Sequence, residues 1–184
     1  MNPAERESLL KNLAESRDRL VSTVRSLSPE QRHYRPAPDR WSFADIVEHL
    51  TSVESLILGM VQKSLEAPAD SSKQCAMDDR ALLTDVAGRI TRFKAPEMLA
   101  PTGKFEDEEL LPAFESARQR TCDFAQATGG DLRRHFAPHP VFGELDCYQW
   151  LMLLAAHCDR HRVQGEEVKA GAGFPRAAQT GAFA

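Results

Sequence analysis

One helical stripe near the end of the chain, in residues 148–164, constrains the fold more than any other feature. Its apolar members, among them Trp150 and Leu154, recur every three or four residues, the spacing of one face of an α-helix. The same face continues to His157 and His161. Two imidazoles four residues apart on a helix lean the same way from adjacent turns. The stripe therefore predicts a buried helix that presents two histidines toward the interior.

A third histidine, His49, lies on a second long stripe. Its neighbours at helical spacing, Ile46 and Val53, are apolar, so this imidazole also points inward. Three histidines are the ligand set of an open zinc site, in which water or substrate takes the remaining position. Neutral imidazoles favour Zn, Ni, Cu or Fe over Mg or Ca, which prefer oxygen. We therefore expect His49, His157 and His161 to bind a divalent transition metal, with Zn or Ni as the leading ions.

Composition excludes several classes of protein. The 184 residues suit one domain with a sizeable core, and 42% apolar and 27% charged residues are typical of a globular protein. A net charge of −4 argues against nucleic-acid binding, which needs a basic surface. No apolar run reaches the about 18 residues of a membrane span, and the N-terminus lacks the apolar segment of a signal peptide. Because the four cysteines include no CxxC pair, we expect reduced thiols and a cytoplasmic location.

Four long apolar stripes at helical spacing predict an all-α four-helix bundle. Asn2 and Pro3 are typical of the start of the first helix, Ser42 is a cap for the second, and Gly129 and Gly130 end the third. No segment shows the alternating pattern of a strand, so no strand is expected. The predicted helices span about residues 3–27, 42–65, 108–128 and 146–170, within one domain of residues 1–170 that is followed by a loose tail, residues 171–184.

The long connection between the second and third helices decides the topology. Residues 67–106 are too many for a tight hairpin, but they suit a long crossover that makes these two helices parallel. The four helices then run up, down, down and up. A short helix is expected within Asp78–Arg92. Residues 131–144 contain turn-forming residues and are expected to lead into the last helix without regular structure.

Several polar residues near the three histidines are open to more than one interpretation. We expect the carboxylates of Glu48 and Glu54 to be solvated, with Glu48 turned away from the site by the helical rotation; a direct role of either at the site is the alternative. Gln164, close to one turn beyond His161, is a candidate acceptor for an imidazole N–H. His139 is expected to belong to a turn, with a place at the mouth of the site as the alternative.

Other residues near the stripe are expected to have structural roles. Cys158 adjoins His157 and is interpreted as a small buried residue, with a contact to the metal as the alternative. Asp159 and Arg160 are expected to form surface or outer ion pairs rather than to bind the metal. Trp41 and Trp150 are assigned to the core, and His33 and His135 to the surface or to loops.

Four sequence motifs resemble the DinB/YfiT-like superfamily over about residues 5–168. They are Trp41–Leu50, which contains His49; His139-Pro-Val-Phe-Gly143; Gln149-Trp150; and His157-x-x-Arg160-His161-x-x-Gln164. The resemblance implies an up-down-down-up four-helix bundle, often a homodimer, with a metal held by three histidines, which match His49, His157 and His161. Characterised relatives include transferases and isomerases that depend on bacillithiol or mycothiol. The resemblance therefore implies metal-assisted thiol chemistry.

The sequence leaves three hypotheses about function. The first is a metal-dependent thiol transferase or hydrolase that acts on a small-molecule substrate, such as a low-molecular-weight thiol. The second is a non-catalytic, stress-linked homodimer in which the metal stabilises the fold. The third is a structural bundle whose histidines bind no metal and hydrogen-bond to other groups. No motif names the substrate, since neither a glycine-rich phosphate loop nor a recognisable nucleophile or general base is present.

Overall fold

The structure, a computed structural model, describes residues 1–87 and 96–176. Within these ranges the chain is mainly helical with one small hairpin, so the predicted fold class is confirmed. None of the helices described is long and apolar enough to cross a membrane. The elements are α1 (Pro3–Arg25), α2 (Pro29–His33), α3 (Phe43–Ser64), α4 (Asp79–Ala87), α5 (Asp107–Ala127), β1 (Phe136–His139), β2 (Gly143–Asp146) and α6 (Cys147–Lys169).

Polar contacts at the helix ends establish the directions of the bundle. Arg6, at the start of α1, donates to the carbonyls of Gln126 and Thr128 at the end of α5, so α1 and α5 are antiparallel. The Tyr148 hydroxyl, at the start of α6, donates to the Glu5 carbonyl, so α1 and α6 are parallel. Helix α1 thus packs on α5 and α6, and α3 completes the bundle by packing on the same two helices.

The last turns of α6 pack on the first turn of α3. Gly165 lies against the ring of Phe43, and a Cβ added at this glycine would stand 2.3 Å from the nearest ring carbon. These two helices are therefore antiparallel. At the other end of α3, its C-cap Leu65 lies beside Gly130, just beyond α5, so α3 and α5 are parallel. The order up, down, down and up, with a long crossover between the second and third bundle helices, agrees with the prediction.

Gly165→Ala is expected to lower the free energy of unfolding by about 1–3 kcal/mol, because the new methyl group must displace the Phe43 ring. Gly59 is the matched control, since it is exposed on α3 and an added Cβ meets nothing within 4 Å. Gly59→Ala should instead raise stability by about 0.5–1 kcal/mol through helix propensity. Urea unfolding measures both effects, and a Gly165→Ala protein as stable as the wild type would contradict this close packing.

The hairpin of β1 and β2 corrects the expectation that the chain has no strand. The two strands are antiparallel, with His139 opposite Gly143. Each strand has only four residues, too few for an alternating pattern to be visible in the sequence. The indole of Trp150 on α6 donates to the Ala137 carbonyl 3.0 Å away, so the hairpin lies against the helix that carries two of the histidines.

Two parts of the crossover pack on the helices that carry the histidines. Helix α4 lies within the range predicted to hold a short helix, residues 78–92, and packs on α6. Residues 88–92 of that range lie outside the described residues. A single 3-10 turn, Glu97–Leu99, packs on α3. The crossover therefore borders the region where α3 and α6 meet.

A buried ion pair joins the four bundle helices. Arg118 on α5 is fully buried and forms a salt bridge of 2.5 Å with Glu54 on α3. Its guanidinium also donates to the Ser16 hydroxyl on α1 and to the Leu154 carbonyl on α6. Thr121 donates to the second Glu54 oxygen at 2.8 Å. The prediction that Glu54 is solvated is wrong, since the residue is 1% exposed. Local sequence patterns do not reveal its burial, because its two partners lie 64 and 67 residues further along the chain.

The described part of the C-terminal segment packs beside α2. The Phe174 ring meets the Tyr34 ring edge-on, with 5.6 Å between ring centroids. Gln31 donates to the Pro175 carbonyl at 2.8 Å. These contacts attach residues 171–176 to the bundle, while residues 177–184 of the predicted tail lie outside the described residues.

Candidate metal centre

Three imidazoles converge where α3 packs on α6. His49 on α3 and His157 and His161 on α6 each offer a ring nitrogen, and these three nitrogens all lie within 4.8 Å of one another. The ring centroids are 4.4 Å apart for His157 and His161, 4.8 Å for His49 and His161, and 5.3 Å for His49 and His157. The structure thus brings together the three residues that the sequence selects as ligands.

The convergence follows from the geometry of the two helices. His157 and His161 are four residues apart, so they stand on adjacent turns of one face of α6. Because α3 runs antiparallel to α6, His49 is placed opposite this pair. His49 and His161 are only 3% and 8% exposed, whereas His157 is partly exposed. The cluster is therefore largely buried but not sealed from the surface.

Hydrogen bonds define the tautomers of two of these rings. A carbonyl oxygen can only accept, so His49 Nδ1 donates to the Leu99 carbonyl at 2.8 Å. His161 Nδ1 donates to Gln164 Oε1 at 3.0 Å, as the sequence predicts for Gln164. A neutral ring that carries its proton on Nδ1 has a lone pair on Nε2. Metal-binding histidines commonly have such an acceptor on the nitrogen that does not bind the metal.

Burial keeps the three imidazoles uncharged. Desolvation, reinforced by the neighbouring His49 ring, lowers the pKa of His157 to about 3. Desolvation and the two neighbouring rings lower the pKa of His161 well below its usual value. Desolvation also lowers the pKa of His49, and the hydrogen bond to Leu99 opposes this only in part. At neutral pH all three rings are neutral, which is the form that binds a metal.

The donor set of the cluster fits a transition-metal ion. The Nε2 atoms of His157 and His161 lie 3.0 Å apart and share a hydrogen bond, in which His157 Nε2 donates to the lone pair of His161 Nε2. Nitrogen ligands of a tetrahedral zinc ion, each at about 2.0–2.1 Å, stand about 3.3–3.4 Å from one another, which is close to this spacing. His157 Nδ1 is buried without a hydrogen-bond partner among the residues that the structure describes. Three neutral imidazoles are suitable donors for Zn, Ni, Cu or Fe.

Trp41 forms one wall of the cluster. Its indole lies 4.8 Å from the His49 ring and stacks on the His161 ring at 5.7 Å, measured between centroids. The sequence assigns Trp41 to the core, and the partly buried side chain does pack against the core, but it also covers the imidazoles. It directly precedes Ser42, the N-cap of α3. Because Trp41 lies outside the helix, helical periodicity does not predict its position.

Glu48, next to His49, also differs from its prediction. Its side chain is 4% exposed rather than solvated. It accepts hydrogen bonds from Thr102, Gly103 and Lys104 in the crossover. The first of these residues lies 54 positions further along the chain than Glu48. Burial by itself raises the pKa of Glu48, but these hydrogen bonds outweigh it and leave the pKa below its usual value. Glu48 is therefore an ionised attachment point for the crossover.

His139 belongs to the hairpin turn, as predicted. Its Nδ1 accepts from the backbone N–H groups of Val141 and Phe142 at 3.1 and 3.2 Å. Its ring packs on Trp150, a core residue as the sequence predicts, with 5.0 Å between centroids. Burial lowers the pKa of His139. It is not one of the three clustered histidines.

Comparison with known proteins decides the family. The profile of the DinB superfamily matches residues 12–164. The chain belongs to the DinB superfamily. It is 27% identical over 158 residues to the uncharacterized protein YuaE of Bacillus subtilis (strain 168), covering 84% of this chain and 93% of that protein. It also matches the crystal structure of TT2238, a four-helix bundle protein, with a TM-score of 0.54, 21% identity, and coverage of 89% and 98% of the two chains. This similarity supports the four-helix bundle.

The DinB superfamily is generally metal-binding, and this member has three clustered histidines. The residues between these histidines on α6 have other contacts. Cys158 is buried against a backbone carbonyl of α1, and burial raises the pKa of its thiol to about 12, so it is the small buried residue that we predict. Asp159 forms a 2.6 Å ion pair with Arg19. Arg160 donates to the Val86 carbonyl on α4.

Proposed function

We propose that this DinB protein binds one divalent transition metal, Zn or Ni first, through ring nitrogens of His49, His157 and His161. We further propose that it uses the metal in thiol transfer or hydrolysis on a small-molecule substrate. The observation that carries the proposal is the convergence of three neutral imidazole nitrogens within 4.8 Å. Three protein ligands leave a coordination position for a substrate atom, and His157 is the one of the three histidines that is partly exposed.

The residues around the cluster prepare it for this role. When bound, such an ion acts as a Lewis acid and favours the deprotonated form of a thiol or of water. Leu99 and Gln164 accept from Nδ1 of His49 and His161, so the opposite nitrogen of each ring keeps its lone pair. The Trp41 ring covers two of the imidazoles and limits the access of water on that side.

The state of the nearby carboxylates favours thiol transfer over hydrolysis. Hydrolysis benefits from a general base that removes a proton from water, commonly a carboxylate. Glu48 accepts four hydrogen bonds from the crossover, and Glu54 is paired with Arg118 and Thr121. Neither is free to act as such a base. A thiol loses its proton far more readily than water does and needs less assistance, so a low-molecular-weight thiol is the first substrate to test.

Spectroscopy of the Co²⁺-loaded protein tests this choice of substrate. Addition of 2-mercaptoethanol is expected to produce a sulfur-to-cobalt charge-transfer band, because the thiol sulfur reaches the metal. The thioether 2-(methylthio)ethanol is the matched control and should produce none. His157→Ala should lack the cobalt spectrum with either compound. Binding of Co²⁺ without any change on addition of the thiol would contradict thiol chemistry at this site.

Location and assembly are further parts of the proposal. We propose that the protein is a cytoplasmic homodimer. Analytical ultracentrifugation would test the dimeric state. The four cysteines, Cys75, Cys122, Cys147 and Cys158, are free thiols, as is typical of proteins in a reducing compartment.

The alternative function is a non-catalytic metal-binding dimer. A large fall in melting temperature on chelation, with no ligand exchange at the bound metal, would favour that alternative.

A further inference from the structure

Two adjacent residues of α3 hold opposite ends of one short segment of the crossover. His49 Nδ1 donates to the Leu99 carbonyl, and Glu48 accepts from residues 102–104. Residues 101–104 form no helix or strand. At the start of the segment, residues 99–104, the N–H groups of Leu99 and Ala100 donate to Pro96 and Glu97 within the 3-10 turn. These bonds are local, so the position of the segment relative to α3 depends on its attachments to that helix.

Each oxygen of the Glu48 carboxylate accepts two hydrogen bonds from residues 102–104. Its Oε1 accepts from the Thr102 N–H at 2.7 Å and from the Thr102 hydroxyl at 2.9 Å. Its Oε2 accepts from the N–H groups of Gly103 at 2.8 Å and Lys104 at 3.2 Å. Gly103 has φ +74°, a left-handed conformation that favours glycine. Successive backbone N–H groups around one anion form a nest, and this nest is built around Glu48.

We propose that Glu48 is a positioning residue for the metal centre. By fixing the 99–104 segment, it holds the Leu99 carbonyl where that oxygen selects the Nδ1–H tautomer of His49. This inference rests on the proposed metal-binding function. Without a fixed acceptor at Nδ1, the neutral His49 ring is free to carry its proton on Nε2. A proton on Nε2 occupies the lone pair that the metal needs, so the affinity for the metal falls.

The other contacts of the segment do not provide this control. The Leu99 side chain packs on the apolar core, and Lys104 Nζ donates to the Ser52 hydroxyl at 3.1 Å. An apolar contact is not directional, and the lysine contact is exposed. Only the Glu48 nest attaches three consecutive backbone N–H groups of the segment to α3.

Glu48→Gln is the main test variant, with Lys104→Ala as its matched control. The amide is nearly isosteric with the carboxylate, but it presents an NH₂ donor in place of one acceptor oxygen. At least one side of the nest then loses its hydrogen bonds. Lys104→Ala removes the side-chain contact with Ser52 but retains the backbone N–H that binds Glu48.

Two measurements on these variants test the proposed role of Glu48. Nitrogen-15 NMR of the imidazoles in the metal-free protein reports the His49 tautomer, and titration with Co²⁺ reports the affinity. The wild type and Lys104→Ala are expected to hold His49 in the Nδ1–H form. Glu48→Gln is expected to populate both tautomers and to bind Co²⁺ about 10–100-fold more weakly. Gly103→Ala strains the nest from the loop side and should change both readouts in the same direction.

A folded Glu48→Gln protein with a single His49 tautomer and wild-type Co²⁺ affinity would overturn the inference. If this variant does not fold, Gly103→Ala decides by the same two readouts. Failure of the proposed function has a different signature, since the wild type itself would then bind no Co²⁺. In that case the NMR comparison of the metal-free proteins still decides whether Glu48 controls His49.

Discussion

Glu54→Ala is expected to lower the free energy of unfolding by about 3–5 kcal/mol, because it leaves the guanidinium of Arg118 buried without its counter-charge. Both side chains are almost fully buried, at 1% and 0% exposure. A domain of ordinary stability unfolds at a cost of about 5–15 kcal/mol, so the loss removes a large part of the total. Urea unfolding followed by circular dichroism measures it.

Two further proteins separate the buried charge from general damage. Replacing both partners, with Glu54→Leu and Arg118→Met together, removes the unpaired charge and should recover most of the stability. Arg25→Ala breaks an exposed ion pair with Glu115 and should change stability by only about 0–1 kcal/mol. A Glu54→Ala protein no less stable than Arg25→Ala would contradict the central role of the buried pair.

His161→Ala is expected to abolish stoichiometric Zn²⁺ binding, because it removes a proposed ligand from the only cluster of three potential metal-binding side chains in the described part of the chain. Gln164→Ala removes only the acceptor of the His161 Nδ1–H and should weaken binding by about 10–100-fold. Competition with a chromophoric chelator measures both affinities. The two effects therefore rank the ligand above its hydrogen-bond partner.

His139→Ala is the control for this pair of variants. The imidazole lies in the hairpin turn outside the cluster, so its loss should leave the Zn²⁺ affinity unchanged. Equal affinities for the wild type and His161→Ala would show that the metal binds elsewhere. A loss in His139→Ala as large as in His161→Ala would extend the site to the hairpin and contradict a metal site made by the three clustered histidines.

Local patterns in the sequence account for the bundle and for the histidine cluster. Helical stripes and caps such as Asn2 and Ser42 depend on residues at most four positions apart, so they are readable without the fold. The inward direction of His49, His157 and His161 follows from the same periodicity. Given antiparallel packing of two such stripes, the meeting of these rings is a geometric consequence.

The errors arise where a partner lies far away in sequence. Glu48 and Glu54 have the ordinary appearance of exposed helix carboxylates, and their burial depends on Thr102 and Arg118, which are 54 and 64 residues away. Trp41 covers the cluster from a connector that has no period. The hairpin strands are too short for a pattern. In each case tertiary contact, rather than local propensity, determines the outcome.

Elemental analysis of protein purified without an affinity tag tests the central claim most directly. We expect about one equivalent of Zn, Ni or another transition metal in the wild type, as three histidine ligands imply, and none in a folded His157→Ala variant. A wild-type protein that contains no metal and cannot be loaded with Zn²⁺ or Ni²⁺ would contradict the metal centre. The three histidines would then be a buried polar cluster of the bundle, and the proposed chemistry would have no site.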